Sequence, residues 1–425
     1  MSRLLISLCT ILVIVCGQGC AFHKLKKDLK NLETFSKISG TIISESPRKK
    51  PILIALFSED EELLKYDVKY KSGHYEFFAL PGTYYIAAFE DANEDLIFQH
   101  DEYVGVYGSP TPIKVAAGSN IDNIDVTLIS PEKAKVAMPQ IYKRPEKTRK
   151  IEQKDIHFGE IVKLDDPRFS DENGALGFWE PFRFINEIGA AIFFLEPYDP
   201  EKIPIIFVHG AGGHPGQWAY LIEHIDRTRF QPWLVYYPSG LRLGILGNSL
   251  GQRISNMKEK YKFDNIVIVA HSMGGLVSRS AINRLSQMKY PGSIKLFVSI
   301  STPWGGHSAA TQGIERAPAV VPAWYDMAPD SPFIASLHES PLPEDTDFYL
   351  LFSYKRRAGM SNLFKGGNND GVVTLRSQLV SPAQKEAIKV YGFNEDHVLI
   401  LSSKMTSDTL KEFLKKMIEK TFTER

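Results

Sequence analysis

The residues best suited to chemistry lie in the stretch Ile266–Val267–Ile268–Val269–Ala270–His271–Ser272–Met273–Gly274–Gly275. Four β-branched residues predict a short buried strand, and Leu276 to Leu285 predicts a helix, with apolar residues at 276, 277, 281, 282 and 285. A serine at that junction sits on a sharp strand-to-helix turn that exposes its hydroxyl. The next backbone N–H, that of Met273, is free at a helix start to bind a developing oxyanion. The pattern is the nucleophile elbow G-x-S-x-G, with Ala270 in place of the first glycine. The competing account makes Ser272 a helix N-cap, a position that favours serine for hydrogen bonding alone.

A serine nucleophile needs a base, an acid to orient it and a second oxyanion donor. Upstream, the apolar run Ile205 to Val208 ends in His209–Gly210–Ala211–Gly212–Gly213, whose glycines let the chain turn and aim the N–H of Ala211 at the same oxyanion. His209 is expected to brace that loop. Downstream, Asn368–Asn369–Asp370–Gly371 places a carboxylate at a turn, and a strand from Val390 to Phe393 precedes Asp396–His397. His397 competes with His307 and His338 as the base, and Asp370 competes with Asp347, Glu395 and Asp396 as the acid. His397 is preferred for its place after a C-terminal strand. Asp396 adjoins it too closely to reach round to Nδ1. His271 is expected to pack, because the elbow turns neighbouring side chains away.

The order Ser272, Asp370, His397 is that of α/β-hydrolases, not of chymotrypsin-like or subtilisin-like enzymes. From about Gly159 to the C-terminus the chain resembles lipases and esterases of that superfamily, in the manner of bacterial triacylglycerol lipases and the lipase-like relatives of GPI-inositol deacylases. The segments FVHGAGG, AHSMGGLVSR, ISTPWGG, NDGVV and DHVLIL carry the resemblance. It implies a serine hydrolase acting on a lipid or other acyl ester through an acyl-enzyme, without a cofactor. An acyltransferase or thioesterase would share the same triad. A surface binding protein on a retired hydrolase scaffold would share the fold but have no need of a matched base and acid.

Positioning those residues requires an α/β architecture. Candidate strands are 160–164, 191–195, 205–208, 233–237, 266–270, 295–300, 347–352 and 388–391. Helical patterns fall at 217–225, 249–261 and 407–421, so the sheet is mostly parallel and covered by helices. The active residues follow strand ends, where ligands bind in such sheets. The segment from Thr302 to Pro343, rich in proline and aromatic residues, occupies the place of a cap or lid; the alternative is an excursion that closes the sheet edge. Trp218 and Trp304 are the candidates for lining a substrate pocket, and both could equally belong to the core.

Residues 37–130 differ in kind. Short apolar or alternating runs at 38–43, 52–57, 66–70, 74–79, 83–89, 111–115 and 121–128 predict an all-β sandwich. The piece from Gly73 to Ala88, with its Pro81–Gly82 turn, resembles the transthyretin-like modules of carboxypeptidase-regulatory domains, which serve as spacers or protein contacts. Asp91, Asn93, Asp95 and Glu102 stand at positions 1, 3, 5 and 12 of a calcium loop. Leu96 replaces the glycine that such a loop requires, and a polar turn between strands explains the same residues. Residues 131–155 predict a linker leading to the hydrolase at 156–425.

The N-terminus adds a targeting signal. Arg3 precedes an apolar run from Leu4 to Val15, then Gly17–Gln18–Gly19–Cys20, which resembles a bacterial lipoprotein signal with Cys20 as the lipidated thiol. Gly17 departs from the usual Leu or Val. An uncleaved anchor and ordinary secretion are the alternatives. All 3 cysteines, at 9, 16 and 20, lie in this region, so the exported body has no disulfide. The polar residues 20–36 are expected to form a tether or a membrane-proximal basic patch. The chain is expected to reach the cell envelope as a membrane-anchored lipoprotein. With 50 basic and 50 acidic residues it has no basic field for nucleic acid.

Overall fold

The computed structural model describes residues 19–48, 50–93, 98–108, 111–134, 158–288, 293–356 and 368–423. All but Gly19 of the expected signal segment 1–19, Asp95 of the calcium candidate and most of the expected linker, from 135 on, lie outside them. The chain divides into two units, one of residues 29–157 and one of residues 158–425 with the stretch up to Asp28.

The first unit is a β-sandwich. Its strands are β1 (Ser36–Ser44), β2 (Ile52–Ser58), β3 (Leu63–Lys69), β4 (Gly73–Ala79), β5 (Gly82–Glu90), β6 (Val104–Val106), β7 (Ile113–Val115), β8 (Asn120–Ile121) and β9 (Val126–Leu128). One sheet runs β4-β1-β8, with β9 also on β1, and the other β3-β2-β5-β6, with β7 also on β5. Period-two alternation turns Ile38, Ile54, Tyr75, Phe77, Ile86 and Val126 into one core shared by both sheets. Two details differ from expectation. The single strand expected at 121–128 is split at Asn123, whose φ is +63°. There the chain crosses so close to β1 that a Cβ on Gly40 would lie 2.0 Å from the Ile124 carbonyl oxygen. Strand β6, around Gly105, carries too little apolar pattern to be read.

The second unit holds eight further strands: β10 (Phe158–Ile161), β11 (Ala191–Phe194), β12 (Ile203–Val208), β13 (Phe230–Tyr236), β14 (Asn265–His271), β15 (Ser293–Ile300), β16 (Asp347–Ser353) and β17 (Lys389–Phe393). They form one sheet in the order β10-β11-β13-β12-β14-β15-β16-β17. From β13 to β17 every pairing is parallel, and β11 pairs antiparallel with β13. This is the strand order of the α/β-hydrolase fold. Central strands are buried on both faces, which is why β12 and β14 read as unbroken apolar runs.

The helices are α1 (Gly19–Glu33), α2 (Pro131–Ala134), α3 (Asp171–Trp179), α4 (Pro181–Glu187), α5 (Ala219–His224), α6 (Leu243–Tyr261), α7 (Met273–Gln287), α8 (Ser308–Arg316), α9 (Pro322–Met327), α10 (Pro332–Ser336), α11 (Leu375–Gln378), α12 (Ser381–Glu386) and α13 (Lys404–Thr423). Helix α13 presents Leu410, Phe413, Leu414 and Met417 to the core at helical spacing, and Phe413 stacks on Tyr349 at 3.8 Å between ring centroids. Among the described residues no helix is long and apolar enough to cross a membrane.

The stretch expected as a tether is helical. In α1, Leu25 and Asp28 are buried, while Lys24, Lys26 and Lys27 are exposed. The Asp28 carboxylate accepts the N–H groups of Phe182 and Arg183, both at 2.9 Å. It thereby caps α4, whose own N-cap residue, Glu180, makes no side-chain cap. The segment 302–343 forms α8, α9 and α10. Asp326 in α9 binds the Arg242 guanidinium at 2.6 Å and fastens that segment to the start of α6.

Candidate active site

Strand β14 ends at His271, and α7 begins at Met273. Between them Ser272 has φ +53° and ψ −130°, a conformation that L-residues rarely adopt. Its own N–H donates to the Ile300 carbonyl of β15 at 2.8 Å, which pins the turn to the sheet. The tight approach explains the small residues around it. A Cβ on Gly274 would lie 2.4 Å from the carbonyl oxygens of Val208 and His209. A Cβ on Gly210 would lie 2.8 Å from the Ser272 Cβ, so the loop after β12 runs directly beside the serine.

The structure brings three distant side chains together. His397 Nε2 lies 2.9 Å from Ser272 Oγ, and His397 Nδ1 lies 2.7 Å from Asp370 Oδ2. An ionised carboxylate only accepts, so Nδ1 carries the proton and the Nε2 lone pair faces the serine hydroxyl. Asp370 is 1% exposed, and burial alone would raise its pKa. The adjoining His397 ring and the N–H groups of Val372 and Val373, bonded to Oδ1 at 2.9 and 2.7 Å, outweigh burial and hold the carboxyl below its ordinary value. The chain closes on itself, because the His397 N–H donates to the Asp370 carbonyl at 3.0 Å.

Two of the other candidate acids are engaged elsewhere. Asp396 accepts the N–H groups of Val398 and Leu399, and Asp347 pairs with Lys420 at 2.8 Å. His307, His209 and His338 each hold structural hydrogen bonds away from the serine. His307 donates from Nε2 to the Val372 carbonyl at 2.7 Å, bracing the Asp370 turn, and burial lowers its pKa. His209 donates from Nδ1 to the Gly210 carbonyl at 2.8 Å and stacks on Tyr237, whose hydroxyl donates to the His209 carbonyl at 2.6 Å. His338 binds Glu386 at 3.0 Å. Ser239 accepts the Gly212 N–H at 2.9 Å and fixes the oxyanion-loop candidate. Met273 N–H stands in the first turn of α7, where no intrahelical acceptor exists. Neither it nor the Ala211 N–H donates to a protein group among the described residues.

Trp218 and Trp304 do not line a pocket. Trp218 is 0% exposed and packs on Phe207, while Trp304 is 1% exposed between Phe297, Phe348 and His338. Trp304 stands in the ISTPWGG segment and Trp218 shortly after FVHGAGG, but the fold turns both into its core. Of the calcium candidate, Asp91, Asn93 and Glu102 fall among the described residues. The two oxygens of Glu102 accept the N–H groups of Ala92 and Gln99, each at 2.8 Å, and clamp the turn. Burial raises that carboxyl to about 7. Asp91 is likewise buried, and among the described residues no group of three or more His, Cys, Asp or Glu could hold a metal.

Sequence reading missed a second layer around Asp370. Besides His397, Asp370 Oδ2 accepts from Ser353 Oγ at 2.8 Å and Gln378 Nε2 at 3.1 Å. Serine and glutamine carry no periodic signal, so nothing in the local pattern marks them.

Residues 200–326 match the family model described as "Putative serine esterase (DUF676)". That segment includes Ala211 and Ser272. No curated protein matches the chain. Among solved structures the chain is similar to the mature form of the lipase BlEst2 from Bacillus licheniformis, with 21% identity, 52% of this chain and 94% of that chain covered, and a TM-score of 0.42. It is similar also to the products of gene lin2722 from Listeria innocua, with 14% identity, coverage of 51% and 95%, and a TM-score of 0.39. Aspergillus fumigatus lipase B gives 15% identity, coverage of 50% and 53%, and a TM-score of 0.38. The second unit thus has the α/β-hydrolase fold, and its segment from 200 to 326, with the Ser272 elbow, matches a serine esterase family model.

Proposed function

We propose that this chain hydrolyses acyl esters through Ser272, His397 and Asp370. His397 takes the serine proton as Ser272 attacks the ester carbonyl, because a free hydroxyl is otherwise a weak nucleophile. Asp370 holds the imidazole in the required tautomer and stabilises the imidazolium. The N–H groups of Met273 and Ala211 bind the tetrahedral oxyanion, each such donor contributing about 3 kcal/mol in comparable sites. The leaving alcohol takes the proton from His397, and water, activated by the same ring, resolves the acyl-enzyme. The observation that carries this reading is the run of two short hydrogen bonds, Ser272 to His397 to Asp370, at a strained strand-to-helix turn.

The test is covalent. A fluorophosphonate probe should label the wild type and leave Ser272→Ala unlabelled, and Ser272→Ala should lose p-nitrophenyl ester hydrolysis with its melting transition intact. Equal labelling or an unchanged rate in Ser272→Ala defeats the proposal. A chain-length series of p-nitrophenyl esters then separates an esterase from a lipase.

The N-terminal sequence supports a further proposal, that the chain is exported and anchored to the membrane by a lipid on Cys20. The apolar run from Leu4 to Val15 followed by Gly–Gln–Gly–Cys is its support. Cys20 then lies within the first turn of α1, which begins at Gly19, so no tether separates it from the helix. Fatty-acid labelling that persists in Cys20→Ala would refute it. The sandwich unit remains, on this reading, a spacer or protein contact.

A further inference from the structure

Strands β15 and β16 are parallel neighbours, so the residues that follow or end them emerge side by side at the edge that carries Ser272. Ser301 follows β15, with φ +51°, and Ser353 ends β16. Their hydroxyls lie 2.6 Å apart, and both residues are 0% exposed. Ser353 Oγ also lies 2.8 Å from Asp370 Oδ2. The proton directions in this chain are forced. The carboxylate can only accept, so Ser353 gives its single proton to Asp370. Ser301 must therefore give its own proton to Ser353.

Gln378 completes the arrangement from α11. Its Oε1 accepts the Ser353 N–H at 3.1 Å, and its Nε2 donates to the Ser353 carbonyl and to Asp370 Oδ2, both at 3.1 Å. The amide is fixed in one orientation, because a backbone donor faces one side and a carboxylate the other. Gln378 is also 0% exposed. Its two-sided grip ties the end of β16 to the carboxylate that faces His397. Five donors converge on Asp370 in all, from His397, Ser353 and Gln378 on Oδ2 and from Val372 and Val373 on Oδ1. Together they saturate the positions at which a carboxylate accepts.

We propose that Ser353 and Gln378 are positioning residues for the Asp370–His397 pair, with Ser301 as the terminal donor of a buried hydrogen-bonded chain that ends at Ser272. The inference rests on the proposed esterase reading. Its chemical content is that each donor withdraws negative charge from Asp370 and so tempers how strongly the carboxylate holds a proton on His397. Loss of the Ser353 donor leaves that carboxylate less compensated, which stabilises the imidazolium and shifts the acid limb of kcat/KM to higher pH. It also frees the carboxylate to rotate, which lowers kcat while leaving ester binding unchanged.

The test compares wild type, Ser353→Ala and Ser301→Ala in p-nitrophenyl ester hydrolysis across pH, with melting curves of each full-length protein. Ser353→Ala should lower kcat roughly tenfold to a hundredfold, the range for a hydrogen bond to a charged group. KM should hold within about twofold, and the acid limb should move upward. Ser301→Ala should move the limb in the same direction by less, and its effect should vanish when added to Ser353→Ala. A folded Ser353→Ala with wild-type kcat and an unmoved acid limb overturns the inference. Should that variant lose its melting transition, Ser301→Ala decides, and an unmoved limb there overturns it equally. Ser272→Ala and Asp370→Asn measured alongside keep the readings apart. If they retain full activity the esterase reading fails, whereas if they lose it while Ser353→Ala does not, only the positioning role fails.

Discussion

His271 donates from Nε2 to the carbonyl of His397 at 2.7 Å, and the two rings lie 4.8 Å apart. The residue before the proposed nucleophile thus carries the backbone of the proposed base. A ring that must donate there while fully buried stays neutral, and burial lowers the pKa of His271 to about 3. His209, behind the proposed oxyanion loop, is lowered to about 3 by the same cause.

These two rings make stability depend on pH. Unfolded, each binds a proton below about pH 6.5, whereas the folded chain refuses it until near pH 3. The unfolded state then holds more protons, so stability is complete above 6.5 and falls as pH drops through that window. The slope approaches about 1.4 kcal/mol per pH unit for each ring. Urea unfolding at pH 7 and pH 5 should differ by about 2–4 kcal/mol, and His271→Gln should remove about half of that difference. Equal stability of the wild type at both values would contradict the burial argument.

Ser272 holds a backbone conformation suited to glycine, with a cost on the order of 1–3 kcal/mol for other residues. Ser272→Gly should accordingly raise the unfolding free energy by about 1 kcal/mol while abolishing ester hydrolysis. A chemical denaturation curve beside an activity assay checks both. A less stable Ser272→Gly protein would show that the turn is not strained.

Arg279 in α7 is 0% exposed, and its guanidinium pairs with Glu386 at 2.8 Å and donates to the Ser340 carbonyl at 2.5 Å. Removing one partner of a buried pair strands the other charge, at a cost of about 3–5 kcal/mol. Glu386→Ala should lose stability on that scale, read from its urea midpoint. The loss should be far smaller in Lys404→Ala, whose pair with Asp408 is exposed.

What was legible in the sequence was local. The β14–Ser272–α7 elbow announces itself through a β-branched run, a serine and two glycines within ten residues, all of which act on their immediate backbone. The Asp370 turn and His397 could be placed because each follows a strand pattern. Helices α3 and α4 escaped, since Gly174 and Gly177 break the apolar rhythm of the first. Gly174 is explained only in three dimensions, where a Cβ would lie 2.5 Å from the Gly212 carbonyl oxygen. Helix α6 begins six residues before its pattern suggests, because Gly244 and Gly247 weaken the signal. Trp218 and Trp304 misled for the opposite reason, as aromatic bulk beside a motif says nothing about which way the sheet turns it. Ser301, Ser353 and Gln378 meet only through strand register and a later helix, and register is a property of the assembled sheet.

The cap that Asp28 places on α4 bears on where this molecule can be cut. A fragment trimmed to start at Phe158 would keep every residue of the proposed triad yet leave the amides of Phe182 and Arg183 without their acceptor. It would also strip Phe22 from its perpendicular contact with Trp179, a ring that in turn meets Trp324. The severable boundary for this unit therefore lies ahead of residue 19, and a protease that nicks within the first helix would loosen the packing around α3 and α4.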